Sequence, residues 1–323
     1  MTVNRAVVTG GAGFIGSHIV DELIERGIET FVLDNFSTGS MKNLSKNQGN
    51  SLLHVIRAEL SDVDSALRAV RDVDVVFHEA AIASVPRSIS DPIAVHDVNV
   101  NMTLRLLEYC RHHDIKRLVF ASSAAVYGVY EKIVAREELP CTPASPYAAS
   151  KLAVEGYLHS YYRTYGFEPI LLRYFNVYGP RQLQSDYSGV INIFIKKLLR
   201  GETPVIYGDG KQTRDFVHVK DVVQANILAM DSNVVGEPLN VASGTSVSII
   251  ELFQLLRSII GATEIEPQFG PSLPGDPRYG FASLERTRKR LGYAPRVSIR
   301  EGLADLVDYF KQTLEIGATV SDR

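Results

Sequence analysis

The sequence is poor in cysteine, with Cys110 and Cys141 as its only two. That excludes a disulfide framework and a thiolate zinc site, and no other metal site is expected. It also lacks a basic surplus. Lysine and arginine number 34 against 37 acidic residues, a net charge of −3, which argues against a general nucleic-acid or anionic-membrane partner. No apolar run approaches the roughly 18 residues of a membrane-spanning helix. The N-terminus has no charged-then-apolar signal layout. Repeats and low-complexity segments are absent too. These absences together predict a reducing compartment, the cytoplasm. What remains is ordinary globular material: 45% hydrophobic and 22% charged residues. The 323 residues suffice for about two domains at ~150 residues each.

The first half alternates two textures. Short apolar, β-rich runs at 5–9, 30–33, 52–57, 73–78, 118–121 and 170–173 predict strands buried on both faces. Between them, helical spacing predicts helices over 15–26, 63–71, 95–113 and 147–165. This alternation predicts an α/β fold with a doubly wound parallel sheet. After Pro180 the pattern changes. Residues 181–189 are polar, helices are expected over 190–199, 219–230, 249–260 and 300–314, and Gly208–Gly210 reads as a turn. Residues 270–280, with three prolines and three glycines, read as an ordered loop, and 317–323 as a frayed tail. We expect a dinucleotide domain over 1–178, to which 213–240 returns, and a smaller interleaved C-terminal domain over 179–323.

Thr9-Gly10-Gly11-Ala12-Gly13-Phe14-Ile15-Gly16 lies between the first strand and the first helix. Glycines there permit a tight turn, close approach to a pyrophosphate, and close helix–strand packing. The helix N-terminus adds free N–H groups for the phosphates. Asp34 ends the next strand, where a carboxylate accepts from ribose hydroxyls and repels a 2′-phosphate, favouring NAD over NADP. The bland alternative is that Asp34 caps a turn with Asn35 and Ser37. Glu59-Leu60 ends the third strand, where adenine would lie. His78-Glu79-Ala80-Ala81 ends the fourth, with small residues beside the dinucleotide and His78 read as a packed histidine.

Tyr147 and Lys151 stand four residues apart, on one helix face. A phenol's pKa near 10 is high for a base at neutral pH, and a nearby ammonium lowers it. Ser123, at the end of the fifth strand, can share the substrate's hydroxyl proton. Alone, this spacing describes many surface helices; downstream of the glycine loop it reads as catalytic.

These motifs, with Ser122–Gly128, Leu172–Arg181 and Arg214–Asp221, resemble the extended short-chain dehydrogenase/reductases of the nucleotide-sugar epimerase/dehydratase type over nearly the whole chain. The resemblance implies a Rossmann-type domain with a smaller substrate domain and bound NAD. It also implies C4 epimerisation of a UDP-hexose through a 4-keto sugar. It places Gly10, Gly13, Phe14, Ile15, Gly16, Asp34, Asn35, Ser37, Gly39, Glu59, Leu60, Ala80, Ala81, Asn99, Tyr147, Lys151, Tyr174 and Val177 on the cofactor. Ser84, Arg87, Ser123, Tyr147, Asn176, Val190, Tyr207, Arg214, Arg278 and Gly280 fall on the substrate. Asn176 and Arg214 would meet the diphosphate and Tyr207 the nucleoside; the alternative for Arg214 is an ion pair with Asp215. Many relatives carry an arginine where this chain has Leu273, shortly before Gly275-Asp276, so Arg278 is expected to take that contact.

The two residues after the serine narrow the reaction. The 4,6-dehydratases of the family carry Asp-Glu there, and this chain has Ala124-Ala125, which transfer no protons. Ser84-Val85-Pro86-Arg87-Ser88 resembles the loop of relatives that accept N-acetylhexosamines, although Arg87 has the alternative of pairing within the loop. In the family this chain resembles, a bulky aromatic at the position of Gly280 narrows the pocket near the sugar 2-substituent; the resemblance therefore implies that glycine here leaves room for an N-acetyl group, and both acetylated and plain hexoses are expected. A UDP-glucuronate 4-epimerase or UDP-sugar decarboxylase stays open, as does a non-catalytic NAD-binding protein. Extra apolar residues on the two long helices (Leu104, Leu107, Leu152, Tyr157) imply, by the same resemblance, a homodimer through a four-helix bundle.

Overall fold

Strands whose residues are apolar on both faces need cover on both sides, and the chain supplies it with helices. A computed structural model describes residues 3–68, 70–129, 134–182, 189–272 and 278–321. Six strands come from the first half: β1 (Arg5–Thr9), β2 (Glu29–Asp34), β3 (Leu53–Arg57), β4 (Val75–His78), β5 (Arg117–Ser123) and β6 (Glu168–Tyr174). Four short ones come next, β7 (Asn176–Tyr178), β8 (Val205–Tyr207), β9 (Thr213–Arg214) and β10 (Phe216–His218), before β11 (Pro238–Val241). The central sheet has seven strands in the order β11-β6-β5-β4-β1-β2-β3. Each neighbouring pair is parallel. This is the Rossmann-type doubly wound arrangement, with its topological switch between β1 and β4.

The helices divide between the faces. One layer holds α1 (Phe14–Glu25), packed through Ile19, Val20 and Leu23 against Val8, Val32 and Phe77. The other face is covered by α2 (Val63–Ala66), α5 (Met102–His112) and α6 (Pro146–Tyr165), and α3 (Val85–Ser90) and α4 (Pro92–His96) pack on α6. There Leu106, Tyr109, Val154 and Leu158 bury against Val7, Val76 and Phe120. A third cluster joins α7 (Val190–Leu199), α9 (Ile249–Ile260) and α11 (Ile299–Ser321) through Phe194, Phe253 and Phe310; α8 (Val219–Asp231), between them in sequence, packs back on α1. The helix α10 (Glu285–Leu291) completes the set.

Several boundaries differ from the sequence reading. The expected helix over 63–71 stops at Ala66, because the chain turns there to bury Leu67 and Val70 on its way into β4. The helix expected at 95–113 starts at Pro92, capped by Asp91, and holds a π-helical turn over Asp97–Asn101. The end of the chain is helical through Ser321 rather than frayed from Gly317: no proline intervenes, and one helical glycine costs only about 1 kcal/mol. Leu107 is fully buried within the subunit, so it does not belong to an exposed stripe; Leu104 and Leu152 are half-buried and Tyr157 is exposed. Gln268–Gly270 is a strand pairing with β8, whereas Leu273, Gly275 and Asp276 lie outside the described residues. No described helix is long and apolar enough to cross a membrane.

Candidate active site

Because the strands are parallel, their C-terminal ends align, and Thr9, Asp34, His78, Ser123 and Tyr174 share one edge of the sheet. Ligands of such sheets bind outside this edge. At its centre the chain turns from β1 into α1. Gly10 adopts φ +67°, and a Cβ there would stand 2.7 Å from the Ala80 nitrogen. A Cβ on Gly16 would stand 2.3 Å from the Gly10 carbonyl oxygen. Only glycine fits either place. Gly13 is the N-cap of α1 and provides no side-chain cap, so the first N–H groups, on Phe14 and Ile15, remain open to an anion.

Asp34 organises this loop. One carboxylate oxygen accepts from the Ala12 N–H at 2.9 Å and the other from Phe36 N–H at 2.7 Å. Asn35 donates to both Glu59 oxygens, at 3.0 and 3.1 Å, and its own oxygen accepts from Ser37 N–H at 2.9 Å. Asp34 thus does build a turn, and each oxygen keeps a second lone pair for a hydroxyl donor. A Cβ on Gly39 would press on the Ala12 backbone at 2.9 Å. Glu59 is exposed and Leu60 buried beside it. This cradle, built around atoms that no side chain fills, fits a dinucleotide.

The fourth strand ends in a packed histidine. Thr103 Oγ1 donates to the Asn99 carbonyl (2.7 Å), so His78 Nε2 donates to Thr103 (2.8 Å) and His78 Nδ1 accepts from Thr9 (2.7 Å). Burial pushes this histidine down to about 3, and it is neutral at physiological pH. Asn99, in the π turn, holds Ile82 N–H at 2.8 Å and donates to Ser150 at 3.0 Å. It ties the segment after Ala80-Ala81 to the helix that carries Tyr147.

Ser123, Tyr147 and Lys151 meet where β5 ends against α6. The Ser123 hydroxyl accepts from the Ala125 N–H at 3.2 Å and stands near enough to the Tyr147 phenol to favour its ionised form. Lys151 Nζ donates to the Ala121 carbonyl at 2.8 Å and lies 4.9 Å from the centroid of the Phe120 ring. The sequence-based expectation that Lys151 lowers the phenol pKa is not met here. Burial pushes Tyr147 up, Ser123 pulls it down, and the Glu79 carboxylate pushes it further up. The lysine itself is brought down to about 8 by burial, its ammonium being turned to the Ala121 carbonyl.

Beyond this edge lies a cavity of about 440 Å³, whose lining includes Asn176, Val190, Tyr207, Gln212, Arg214 and Phe216. It holds both polar ends for a diphosphate and an apolar floor. The matching family model, described as the NAD-dependent epimerase/dehydratase family, covers residues 6–242. The chain belongs to that family. A UDP-glucose 4-epimerase of Mycolicibacterium smegmatis is 40% identical over 309 residues, covering 95% of this chain and 98% of the relative. A UDP-N-acetylglucosamine 4-epimerase of Methanobrevibacter ruminantium M1, solved with UDP-N-acetylmuramic acid, superimposes with a TM-score of 0.92 at 40% identity, covering 97% of this chain and all of that one (100%). The Thermotoga maritima UDP-glucose 4-epimerase, solved with UDP-glucose, gives 0.90 at 39% identity over 96% of this chain and 99% of its own.

In this member of the epimerase/dehydratase family, the sequence-predicted substrate residues fall into two groups. Asn176, Val190, Tyr207 and Arg214 line one cavity. Asn176 Nδ2 donates to the Asp215 carbonyl (3.1 Å), and Asp215 is held by Ser243 and Gly244 rather than by Arg214. Arg278, Ser84, Arg87 and Gly280 are not among its lining residues. Arg278 is bound in bidentate fashion to Asp209 at 2.6 and 2.8 Å, so its fork is turned to a carboxylate. Ser84 caps α3 by accepting from Arg87 N–H, and the Arg87 side chain is exposed. Gly280 sits against Thr213 and Arg214, where an added Cβ would lie 3.1 Å from the Thr213 oxygen. Of the cofactor group, Tyr174 is buried, with its hydroxyl bonded to Glu79 (2.8 Å) and Asn226; Val177 lines the cavity. Sequence reading missed Gln212, which has no motif of its own, and Phe216, which lies within Arg214–Asp221 but was given no role there. It also missed Asn43, whose amide grips the Ala12 carbonyl at 2.8 Å from 31 residues away.

Proposed function

We propose that the protein interconverts the C4 epimers of UDP-hexoses, acting on UDP-glucose and UDP-galactose and on their N-acetylated counterparts. The observation that carries this reading is the convergence of Ser123, Tyr147 and Lys151 at the sheet edge, with Ala124-Ala125 next in a short 3₁₀ turn. The trio removes and returns a hydroxyl proton, and the two alanines offer no second acid or base for eliminating water. The glycine loop, Asp34, Asn35, Ala80, Ala81 and Lys151 would hold NAD, which when bound accepts a hydride from the sugar and gives it back.

The chain's own part is proton transfer and orientation. Tyr147 accepts the 4-hydroxyl proton as the C4–H bond breaks, with Ser123 bridging phenol and sugar hydroxyl. The keto sugar then turns over in the cavity so that C4 presents its other face, and Tyr147 returns the proton to the 4-oxygen. Asn176 and Arg214 tether the diphosphate so that the sugar turns without leaving. In this reading residues 1–178 with 213–240 hold the cofactor, and the rest of 179–323 closes over the sugar nucleotide. The expected assembly is a cytoplasmic homodimer built on α5 and α6, supported by exposed Tyr157 on α6 and by Ile89 and Ile93 on the helices packed against it.

The test is incubation of the protein, without added NAD, with a panel of UDP-sugars and identification of the products. UDP-galactose from UDP-glucose is the expected result. Turnover of UDP-glucuronate alone, or of no sugar, overturns the reading.

A further inference from the structure

Glu79 was given no role within His78-Glu79-Ala80-Ala81 and stands at the active edge. It comes directly after His78, whose strand partner on β5 is Phe120, and so reaches the level of Ala121, the residue whose carbonyl takes the Lys151 ammonium. One carboxyl oxygen accepts from the Tyr174 hydroxyl at 2.8 Å. Tyr174 is the β6 partner of Ser123, so this bond spans the end of the strand that carries the serine. Asn226, from α8, meets the same hydroxyl, with its Nδ2 2.7 Å and its Oδ1 3.0 Å from the phenol oxygen. The second carboxyl oxygen makes no hydrogen bond among the described residues.

Resting on the epimerase reading, we infer that Glu79 is a positioning residue for the reaction: held by Tyr174, its carboxylate sets the charge balance felt by Tyr147 and Lys151. The charged and titratable groups around it are Lys151 and Tyr147 from α6 and Tyr174 from β6; the neighbouring His78 is neutral, and α8 presents the uncharged Asn226. A carboxylate here favours the Lys151 ammonium and disfavours the Tyr147 phenolate, which makes the phenolate a stronger base when it forms. Burial raises Glu79 itself to about 7. As pH falls through that value, Glu79 takes a proton and its push on the phenol ceases, so Tyr147 becomes easier to ionise just as protons become more plentiful. The two titrations are coupled, and the acid side of the activity profile is broadened relative to a single ionisation.

The experiment compares the parent protein with Glu79→Gln and Glu79→Asp. Gln keeps the size and an acceptor for Tyr174; Asp keeps the charge. For each, the Tyr147 ionisation is read as the tyrosinate ultraviolet absorbance lost on adding Tyr147→Phe, and the pH–rate profile is measured in parallel. Glu79→Gln is expected to move the Tyr147 midpoint and the acid limb down by about one pH unit and to sharpen that limb to a single ionisation. Glu79→Asp is expected to stay with the parent. Superimposable midpoints for the parent and Glu79→Gln overturn the inference, as does an equal shift in both variants, which would mark loss of shape rather than charge. The absorbance readout needs no turnover, so it tests Glu79 even if the substrate assignment fails. An active parent with no shift removes Glu79 alone.

Discussion

Glu155 and Arg173 form a bidentate ion pair inside the protein, with Arg173 Nε 2.9 Å and Nη2 2.6 Å from the two carboxylate oxygens. Their side chains are 7% and 5% exposed. Glu155 also accepts from Ser122 Oγ at 2.5 Å. The pair links three elements: Glu155 lies on α6 one turn beyond Lys151 and two beyond Tyr147, Ser122 precedes Ser123 on β5, and Arg173 precedes Tyr174 on β6. It fixes the catalytic helix to the strand ends that it must face. Glu155→Ala leaves a buried guanidinium without its partner, a loss of about 3–5 kcal/mol. The expected outcome is a large drop in the midpoint of chemical or thermal unfolding, with Glu155→Gln intermediate because one hydrogen bond survives.

Gly16 is the tightest point of the loop. With 2.3 Å between an added Cβ and the Gly10 oxygen, Gly16→Ala must push α1 away from β1. That opens the N–H cradle on which a pyrophosphate depends. We expect the variant to fold but to be purified without bound dinucleotide, read from the absorbance ratio at 260 and 280 nm and from cofactor released by heat.

How much of the fold and site is legible in the sequence depends on whether a feature is local. β1, α7 and α9 appear as their periodicity predicts, since each buries one continuous pattern. The glycine loop and the Tyr147/Lys151 spacing are readable because they are contiguous. The seventh strand, Pro238–Val241, is not: four residues carry too little pattern, and what makes them a strand is β6, more than sixty residues earlier. Glu155 reads as a surface residue of a long helix until Arg173 is brought beside it. The Arg278–Asp209 pair likewise joins residues 69 apart, and it redirects a cation that sequence alone would give to a phosphate. Electrostatics is the least legible layer: a lysine one turn from a tyrosine suggests a lowered phenol pKa, and burial reverses the sign.

The buried histidines give stability a pH dependence with a definite sign. His78 is held at about 3, well below the 6.5 of an exposed imidazole. Above pH 6.5 both folded and unfolded states are neutral there and the full contribution is present. As pH falls below 6.5 the unfolded chain takes the proton first, and stability is lost toward the folded value. At pH 5 the loss amounts to about 2 kcal/mol for this one group. His78→Asn, which keeps an acceptor for Thr9, is less stable overall, but its unfolding free energy should fall by about 2 kcal/mol less than the parent's between pH 7 and pH 5. Parallel curves for the two proteins would show that His78 does not carry this dependence.

Gly280 bears on which sugars are taken. It sits against Thr213 and the Arg214 backbone, next to a cavity-lining arginine. Gly280→Tyr places a ring where the proposed N-acetyl group needs room. Its expected effect is selective: kcat/KM for the acetylated pair falls by tenfold or more, about 1.4 kcal/mol, while the plain hexoses change little. Equal losses for both pairs would make the glycine a matter of backbone fit and not of substrate choice.

Tyr147→Phe decides whether the phenol is the base. The ring stays, so α6 keeps its packing, Lys151 keeps the Ala121 carbonyl, and the glycine loop is untouched. What goes is the phenol hydroxyl that stands beside Ser123 at this edge. Positioned acid–base groups supply roughly 10²–10⁴ in rate, and epimerisation is expected to fall by at least that factor. Unfolding and dinucleotide content should match the parent, because neither depends on the hydroxyl. The measurement is product formation from UDP-glucose under saturating substrate, with cofactor content measured on the same preparation. Turnover within a few-fold of the parent would shift the base to another group, and Ser123 would be the next to replace, since its hydroxyl stands beside the phenol.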